Sequence, residues 1–334
     1  MCSLPVFAAV LFALSGPSKA FAVAETTARH TVSAPQPQNA SREASRNEQP
    51  DALLQRTREF LNKGLFKEAD QSAREYLDAH SNSAEGHYLL GYILFKEQRT
   101  EASLAEYTEG AKYHDPDPSD LKIVALDYVL LGAYSDADRW LTRSVEANPK
   151  DSESWYYLGR TKYNENRFEE AIQAFEECLR LDPKNVKAQA NLGLALEGLG
   201  RAGDALAAYR KAIAMQDQGA PKNAEPFIDL GNLLLQQNQN DDAIENLVKA
   251  REISPQDSRV YESLGKAYLR LNKFAEAKEE LEQAVALAPD SAAAHYMLGQ
   301  VYRKTGATER AKAEFDRAVA LNKTKSSGLS TMGP

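Results

Sequence analysis

Apolar residues recur at helical spacing along most of the chain, in paired segments separated by short polar turns. In residues 152–183, one apolar face includes Leu158, and a second includes Ala171, Phe175 and Cys178. The polar sequence Asn-Glu-Asn-Arg separates the two segments. Apolar positions three and four residues apart predict two amphipathic helices joined by a turn. Because one such pair cannot bury its apolar face alone, the pattern predicts a stack of pairs.

The pattern repeats with a period of 34 residues, so internal repetition organises the chain. A Leu-Gly pair in the first segment, and an alanine and a large apolar residue in the second, mark each unit. Leu-Gly stands at residues 90–91, 158–159, 192–193, 230–231, 264–265 and 298–299, with Val124-Ala125 in its place in the third unit. Four extra residues near Gly219 and Pro221 are the one break in phase. We predict eight units across residues 50–322, with starts near residues 50, 84, 118, 152, 186, 224, 258 and 292.

Residues 261–289 and 295–318 carry W-x2-L-G-x2-Y, A-x3-F and P motifs almost completely, and in these motifs the chain resembles the tetratricopeptide repeat (TPR) family. The resemblance implies an all-α fold, an α-solenoid in which helix-turn-helix repeats stack into a right-handed superhelix. Some units depart from the motif: Lys162 replaces the expected tyrosine, and the first and third units lack Leu-Gly.

The glycine of each Leu-Gly pair lies inside a predicted helix, where glycine costs about 0.5 to 1 kcal/mol relative to alanine. We therefore expect closer helix contact at these glycines. We expect the small residues that face the contact to be the alanines at positions 171, 205, 243, 277 and 311.

The N-terminal segments differ in composition from the repeats. Residues 1–24 contain an apolar run followed by small residues, which is typical of a secretory signal peptide, although no Lys or Arg precedes Lys19. Cleavage is expected after Ala20, Ala22 or Ala24, which would give an exported protein, periplasmic or secreted. The run from Leu4 to Leu14 is shorter than the roughly 20 residues of a membrane-spanning helix, so no stable span is expected after signal removal. Residues 25–49 are polar and predict a disordered linker, and residues 323–334 predict a flexible tail.

Charge and cysteine content limit the possible partners and chemistry. The net charge of −8 argues against a nucleic-acid partner, which requires a concentrated excess of Lys and Arg. After signal removal Cys178 is the one remaining cysteine, so no intramolecular disulfide can form. Its repeat position is alanine in most other units, which favours a small core residue over a reactive thiol.

Candidate catalytic and cofactor motifs have simpler interpretations. GLGRAGDA, residues 198–205, contains G-x-G-x-x-G, but a phosphate-binding loop needs a preceding strand, and we predict helices over residues 191–199 and 202–214. The adjacent acids of Glu169-Glu170 and of Glu279-Glu280 would point apart on a helix. The histidines have no metal-ligand spacing; they are His30, His80, His87, His114 and His295. We therefore predict a protein that is not an enzyme and has no cofactor and no metal.

The TPR resemblance implies that the first helices line a concave groove that binds a peptide or a partner domain. Inward positions on these helices give the predicted protein-binding residues, which are Tyr88, Tyr92, Tyr156, Tyr157, Arg160, Asn191, Asn232, Lys266, Tyr296 and Gln300. Tyrosine and arginine are common in binding sites. For any one of these tyrosines, packing between repeats is an equally good interpretation.

Members of the family that grip a partner's C-terminal carboxylate use a Lys and Asn pair in one unit, then an Asn and further basic residues. This chain has Tyr156 and Arg160 where the first pair would fall, and it keeps Asn191 with Lys187 nearby. The departure argues against a carboxylate clamp. The end of the array is a second candidate site, because the residues after Leu321 show no apolar face for a closing helix. Lys312 indicates partial capping of this end by polar residues.

The sequence therefore predicts a non-catalytic protein-protein interaction scaffold or adaptor. One alternative is a regulatory or substrate-presenting TPR subunit of a cell-envelope or secretion enzyme complex. A weaker alternative is an enzyme whose site the sequence motifs do not reveal. The partner and the oligomeric state stay open.

Overall fold

The described residues of the computed structural model, 52–219 and 222–330, form sixteen helices and no strand. Side chains are described through residue 323. The predicted signal peptide and linker lie outside the described residues. The helices are α1 (52–62), α2 (Phe66–Ala79), α3 (Ala84–Lys96), α4 (Thr100–Gly110), α5 (Pro118–Leu130), α6 (Tyr134–Ala147), α7 (Ser152–Asn164), α8 (Phe168–Leu181), α9 (Val186–Gly198), α10 (Ala202–Asp217), α11 (Glu225–Gln236), α12 (Asn240–Ile253), α13 (Ser258–Arg270), α14 (Phe274–Leu287), α15 (Ala292–Lys304) and α16 (Thr308–Ser330).

The helices form two compact units. Unit 1 ends at Asn148 and contains α1 to α6, and unit 2 begins at Pro149 and contains α7 to α16. Within each unit, a helix packs most extensively against its partner in the same pair, as α13 does against α14. The first helix of the next pair then packs on this pair, as α9 does on α8. Sixteen helices make eight pairs, consistent with eight repeats, and the all-α class is confirmed for the described residues.

The turn inside each helix pair contains one residue in the left-handed region. In α7 and α8 this residue is Asn166, and the turn closes through hydrogen bonds from Asn166 N to Tyr163 O, 2.9 Å, and from Arg167 N to Lys162 O, 2.9 Å. This pair of bonds is a Schellman motif, which ends a helix while satisfying its last carbonyls. The same place is occupied by Gly64, Gln98, Gly132, Gly200, Asn238, Asn272 and Gly306, with φ between 56° and 81° in all eight turns.

The G-x-G-x-x-G sequence lies at one of these turns. The helix α9 precedes it and α10 follows it. Gly200 takes the left-handed conformation with φ of 73°, which glycine adopts without steric cost. Gly198 ends α9, and a Cβ added there would lie 2.7 Å from the Phe168 ring. Gly198 and Gly200 therefore serve helix packing and chain reversal, and Gly203 lies in the first turn of α10.

The helix-interior glycines mark close helix contact, but the residue that faces them is not the predicted alanine. A Cβ added at Gly159 would lie 2.6 Å from the Phe175 ring, and one added at Gly231 would lie 2.7 Å from Leu247 Cγ. The space beside the glycine is thus filled by a large side chain of the second helix. This residue lies four positions, or one helical turn, after the repeat alanine. Ala171 is fully buried in the apolar core of unit 2, but the atoms nearest to Gly159 are those of Phe175.

The fourth residue of several first helices joins a repeat to the turn before it. Each of these side chains makes a hydrogen bond to a backbone carbonyl six residues earlier. Trp155 Nε1 donates to Pro149 O at 3.0 Å, Tyr261 Oη donates to Pro255 O at 2.8 Å, and the Nε2 atoms of His87 and His295 lie 2.9 and 3.1 Å from Ser81 O and Pro289 O. The Nδ1 atoms of the two histidines contact Glu106 and Glu314. Both rings therefore have structural roles.

Cys178 belongs to the largest apolar cluster of unit 2 and is fully buried. Burial raises the pKa of its thiol to about 12. A thiol with this pKa stays protonated at neutral pH and is a poor nucleophile. The interpretation of Cys178 as a core residue is confirmed.

The last helix is longer than the sequence indicates. The polar composition predicts a flexible tail from residue 323, but α16 continues to Ser330. No proline or glycine interrupts residues 308–327, so nothing in the backbone requires the helix to end earlier. None of the helices in the described parts of the chain is both long and apolar enough to span a membrane.

Candidate protein-binding groove

An open groove with a volume of about 960 Å³ lies on unit 2. Its walls come from the first helices of three consecutive repeats, α7, α9 and α11, and from the turns that precede α9 and α11. The residues that line it are Tyr156, Arg160, Asp182, Lys184, Asn185, Val186, Lys187, Ala190, Asn191, Leu194, Lys222, Asn223, Glu225 and Asp229. The groove therefore presents both apolar and charged side chains to solvent.

Tyr156 and Arg160 form the α7 wall. Tyr156 is half-buried, and its ring centroid lies 6.2 Å from that of Phe175 and 5.3 Å from that of Tyr157. Burial raises the pKa of the Tyr156 hydroxyl. The Arg160 guanidinium is exposed and lies 5.9 Å from the Tyr156 ring centroid. One edge of Tyr156 thus packs in the core while Arg160 and the rest of the ring face the groove.

Basic side chains line the rim beside this wall. Lys184, Lys187 and Lys222 are exposed, and with Arg160 they give the groove four cationic groups. Asn185 caps α9 by accepting a hydrogen bond from Ala188 N at 3.0 Å, which fixes the turn that carries Lys184. This rim favours carboxylate groups on a ligand.

The α11 wall is acidic. Glu225 and Asp229 lie one helical turn apart on α11, and Arg259 Nη2 donates to Glu225 Oε1 at 2.6 Å. Burial, with the charges of Glu225 and Glu197, raises the pKa of Asp229 to about 7. Opposite charges therefore face the same groove. The helices α7 and α9 contribute Arg160 and Lys187, and α11 contributes Glu225 and Asp229, while the turns before α9 and α11 contribute charges of both signs.

The turn before α11 is closed by one glutamine. Gln216 Oε1 accepts from Asn223 N at 2.6 Å, and Gln216 Nε2 donates to Asn223 O at 3.1 Å. These bonds hold the segment that places Lys222 and Asn223 at the groove. The repeat pattern missed both residues because they follow the four-residue insertion. The one sequence feature that points to this closure is the polar residue Gln216 at the end of an amphipathic helix. In the structure its side chain is buried.

Three of the predicted binding residues, Tyr156, Arg160 and Asn191, line this groove together. Asn191 Nδ2 donates to Lys187 O at 2.8 Å, which orients the amide at the wall. Tyr157 contacts the Tyr156 ring edge to face and is not part of the lining.

The other predicted residues lie elsewhere. In unit 2, Asn232 Oδ1 accepts from Ser263 Oγ at 2.8 Å, and Tyr296 lines a separate groove between α15 and α16. Lys266 and Gln300 lie on α13 and α15, outside the groove of Tyr156.

Tyr88 and Tyr92 lie on α3 in unit 1. The Tyr88 ring stacks on Tyr107 with centroids 5.7 Å apart, and its hydroxyl donates to the carbonyl of His114. These contacts fit the interpretation that Tyr88 packs in unit 1. Tyr92 lies beside Lys96, whose Nζ is 5.1 Å from the Tyr92 ring centroid.

Comparison with protein families identifies the repeat. A family model described as tetratricopeptide repeat matches residues 54–120, 125–185, 158–224 and 262–325, and a second TPR repeat model matches residues 231–272. The chain belongs to the tetratricopeptide repeat family. The resemblance inferred from the motifs is thus confirmed.

Curated relatives match over parts of their lengths. A peroxisomal targeting signal receptor from Kluyveromyces lactis is 36% identical over 74 residues, which cover 22% of this chain and 13% of the receptor. Hsp70-Hsp90 organizing protein 1 from Glycine max is 26% identical over 176 residues, which cover 51% of this chain and 30% of that protein. The match to this TPR protein therefore spans less than a third of the length of either relative.

Solved structures show the same fold. A tetratricopeptide repeat protein from Parabacteroides merdae matches with a TM-score of 0.61 and 18% identity, covering 76% of this chain and 99% of its own. A chain of the APC/C hetero-tetramer Cut9–Hcn1 matches with a TM-score of 0.58 and 18% identity, covering 82% of this chain and 52% of its own. These neighbours support the TPR solenoid fold.

Proposed function

We propose that this TPR protein is a non-catalytic adaptor that binds a segment of a partner protein in the groove formed by α7, α9 and α11. The observation that carries the proposal is the open groove of about 960 Å³ across three consecutive first helices, with Tyr156 and Arg160 on one wall. Its volume lies within the range of about 300 to 1,000 Å³ that is typical of small-ligand pockets. Its open shape across three helices is what suits an extended peptide segment. The names of two relatives, a targeting signal receptor and an organizing protein, agree with a protein-binding role.

The charge distribution indicates which segment would fit. Carboxylate side chains of the partner would face Arg160, Lys184 and Lys187, and a basic side chain would face Asp229. A cation placed beside Asp229 would favour its ionised form, because an opposite charge lowers the pKa of a carboxyl group. The groove therefore suits a partner segment with charges of both signs.

The acidic pairs that could suggest hydrolysis have structural partners, which supports a non-catalytic role. Arg167 Nε donates to Glu170 Oε1 at 2.7 Å, and Arg251 Nη1 donates to Glu280 Oε1 at 2.6 Å. Cys178 is buried with a raised pKa. No three His, Cys, Asp or Glu side chains in residues 52–219 and 222–323 are grouped so that they could hold a metal ion.

The proposal includes export to the periplasm or the exterior. It rests on the composition of residues 1–24, which lie outside the described residues. N-terminal sequencing of the native protein tests it, and a mature chain that begins after Ala20, Ala22 or Ala24 is the expected result. A native protein that retains Met1 would contradict export by this signal.

The groove is tested by quantitative crosslinking in native extract with an amine-reactive reagent. We compare the wild type, the groove variant Arg160→Ala with Lys187→Ala, and a control variant, Arg180→Ala with Lys211→Ala. The control removes two exposed cations from α8 and α10, outside the groove. Removing cations that contact the partner should lower its capture at least tenfold, because two lost charge-assisted contacts cost about 1.4 kcal/mol or more.

The expected result has two parts. The partner is captured equally by the wild type and the control, and its crosslinks map to Lys184 and Lys222 at the groove rim. Equal capture by the groove variant, or crosslinks confined to other surfaces, would contradict the proposed site.

A further inference from the structure

The last helix pair has an apolar surface that differs from the proposed peptide groove. A groove with a volume of about 610 Å³ lies between α15 and α16, and Tyr296, Phe315 and Val319 line it. Tyr296 is 52% exposed and Val319 is 53% exposed, which places them among the most exposed large apolar residues in the described chain. Lys312, expected to help cap this end, instead pairs with Asp316 at 3.1 Å and does not line the groove. An exposed apolar groove on a soluble repeat protein usually marks an interaction site.

The preceding repeats show what covers such a surface. The residues equivalent to Phe315 are fully buried at 0% exposure; they are Phe175, Tyr209, Leu247 and Leu281. In each case the first helix of the next pair packs on the helix that carries the residue, as α9 packs on α8 and α15 packs on α14. Phe315 is only partly buried, and Val319, equivalent to the partly buried Leu179, is exposed. The groove of α15 and α16 thus continues the series of helix-stacking interfaces within unit 2.

We propose that the groove between α15 and α16 binds an acidic amphipathic α-helix of a partner protein. The covering helices inside the chain show the apolar pattern that fits. On α13, the fully buried residues are Val260, Leu264 and Ala267, which are spaced four and three residues apart. A partner helix would present medium and small apolar side chains at the same spacing.

The net charge of the residues around this groove indicates the charge of the partner helix. Residues 292–323 carry six Lys and Arg and three Asp and Glu, a net charge of +3 in a chain whose total is −8. Arg303 lies at the groove itself, with its guanidinium 5.6 Å from the Phe315 ring centroid. Two copies of this end facing each other would bring like charges together, whereas acidic flanks on a partner helix would complement it. The charge therefore favours a different, acidic helix over a second copy of this chain.

The test uses a fluorescein-labelled, hydrocarbon-stapled peptide with the sequence of residues 258–271 and the changes Arg259→Glu, Lys266→Glu and Arg270→Glu. The control peptide has the same apolar face and keeps the native Arg259, Lys266 and Arg270. Binding to the full chain is followed by fluorescence anisotropy. The acidic peptide should bind saturably, at least tenfold more tightly than the control peptide, and more weakly as salt is added.

Variants of the chain locate the binding. Val319→Lys should weaken binding of the acidic peptide at least tenfold, and Tyr296→Ser serves as a second variant of the same groove. Leu130→Lys is the matched control, because it places lysine at an exposed leucine of unit 1, and it should bind like the wild type. Thermal unfolding of each variant confirms that it is folded.

Several outcomes would overturn the proposal. Absence of saturable binding would exclude a helix site, and equal binding by both groove variants would place the peptide elsewhere. Loss of binding in Arg160→Ala but not in Val319→Lys would assign the peptide to the groove of α7, α9 and α11. Concentration-dependent dimerisation of the wild type that Val319→Lys abolishes would identify a second copy as the occupant.

Discussion

Asp127, a carboxyl group inside unit 1, shows how one side chain couples stability to pH. It lies on α5 with 0% exposure, and both of its carboxylate oxygens are buried without a hydrogen-bond partner in the described structure. Burial raises its pKa from 3.8 to about 7; the nearby Ser103 hydroxyl partly opposes this rise, and the charge of Glu101 adds to it. The folded chain therefore retains a proton that the unfolded chain loses above about pH 4.

The sign of the effect follows from this raised pKa. The contribution of Asp127 to stability is most favourable below pH 4 and is lost as pH rises through 7. Relative to Asp127→Asn, the wild type should lose roughly 2 to 3 kcal/mol of unfolding free energy between pH 5 and pH 8. Urea unfolding of the full chain at several pH values measures this difference, with Asp78→Asn as an exposed control on α2. A difference between wild type and Asp127→Asn that does not change with pH would show that Asp127 is not protonated in the folded chain.

Within a helix pair, the residue at the left-handed turn position contributes to the free-energy cost of forming the turn between the two helices. Seven of the eight turns use glycine or asparagine, and the turn between α3 and α4 uses Gln98, with φ of 60°. A side chain without asparagine's local hydrogen bonding costs about 1 to 2 kcal/mol in this conformation. Glycine avoids this cost but loses more backbone entropy on folding.

We therefore expect Gln98→Gly to stabilise unit 1 by about 0.5 to 1 kcal/mol in urea unfolding. The reverse change, Gly132→Gln, is a matched control, since φ at Gly132 is 72° and a Cβ there would meet no atom within 4 Å. It should destabilise the same unit by a similar amount. Unchanged stability in both variants would mean that these turns relax without strain.

The repeat pattern predicts the helix pairs well and the groove only in part. The 34-residue spacing of Leu-Gly with alanine and a large apolar residue was enough to predict paired helices, because these positions pack in most of the repeats. Tyr156, Arg160 and Asn191 could be predicted because they follow the helical period. Asp229 could not be recognised as a perturbed acid, since its pKa depends on burial and on Glu197 from another repeat.

Two other features of the structure were not predicted from the repeat pattern. Lys222 reaches the groove through an insertion closed by Gln216, and no repeat position predicts such a closure. The burial of Asp127 was hidden within an apolar first helix, since a pattern of residue types does not show which polar side chain lacks a partner. Features that depend on contacts between repeats therefore need the structure.

Two of the apolar clusters in unit 2 differ in size, and this difference predicts how unit 2 unfolds. The larger cluster runs from Ala171 to Ala267, and the smaller one from Ala277 to Ala311. In a repeat protein, the free energy of unfolding is approximately the sum of the intrinsic stabilities of the repeats and the energies of the interfaces between neighbours. A destabilising substitution therefore affects only those repeats whose interfaces are coupled to its own. Within residues 52–219 and 222–330, the pair of α15 and α16 packs on one neighbouring pair, whereas the inner pairs of unit 2 pack on two.

The last prediction compares the same overpacking change at equivalent positions of the two clusters. Ala243→Trp and Ala311→Trp each place a large ring at a buried repeat alanine, which should destabilise by about 1 to 3 kcal/mol. Ala243→Trp should lower amide hydrogen-exchange protection across α9 to α13, because it lies inside the larger cluster with neighbours on both sides. Ala311→Trp should lower protection in α14 to α16 alone, and the exposed control Ala286→Trp should leave both regions unchanged. Full protection in Ala243→Trp would contradict the repeat phase, while loss across all of unit 2 in Ala311→Trp would show that its repeats unfold as one cooperative block.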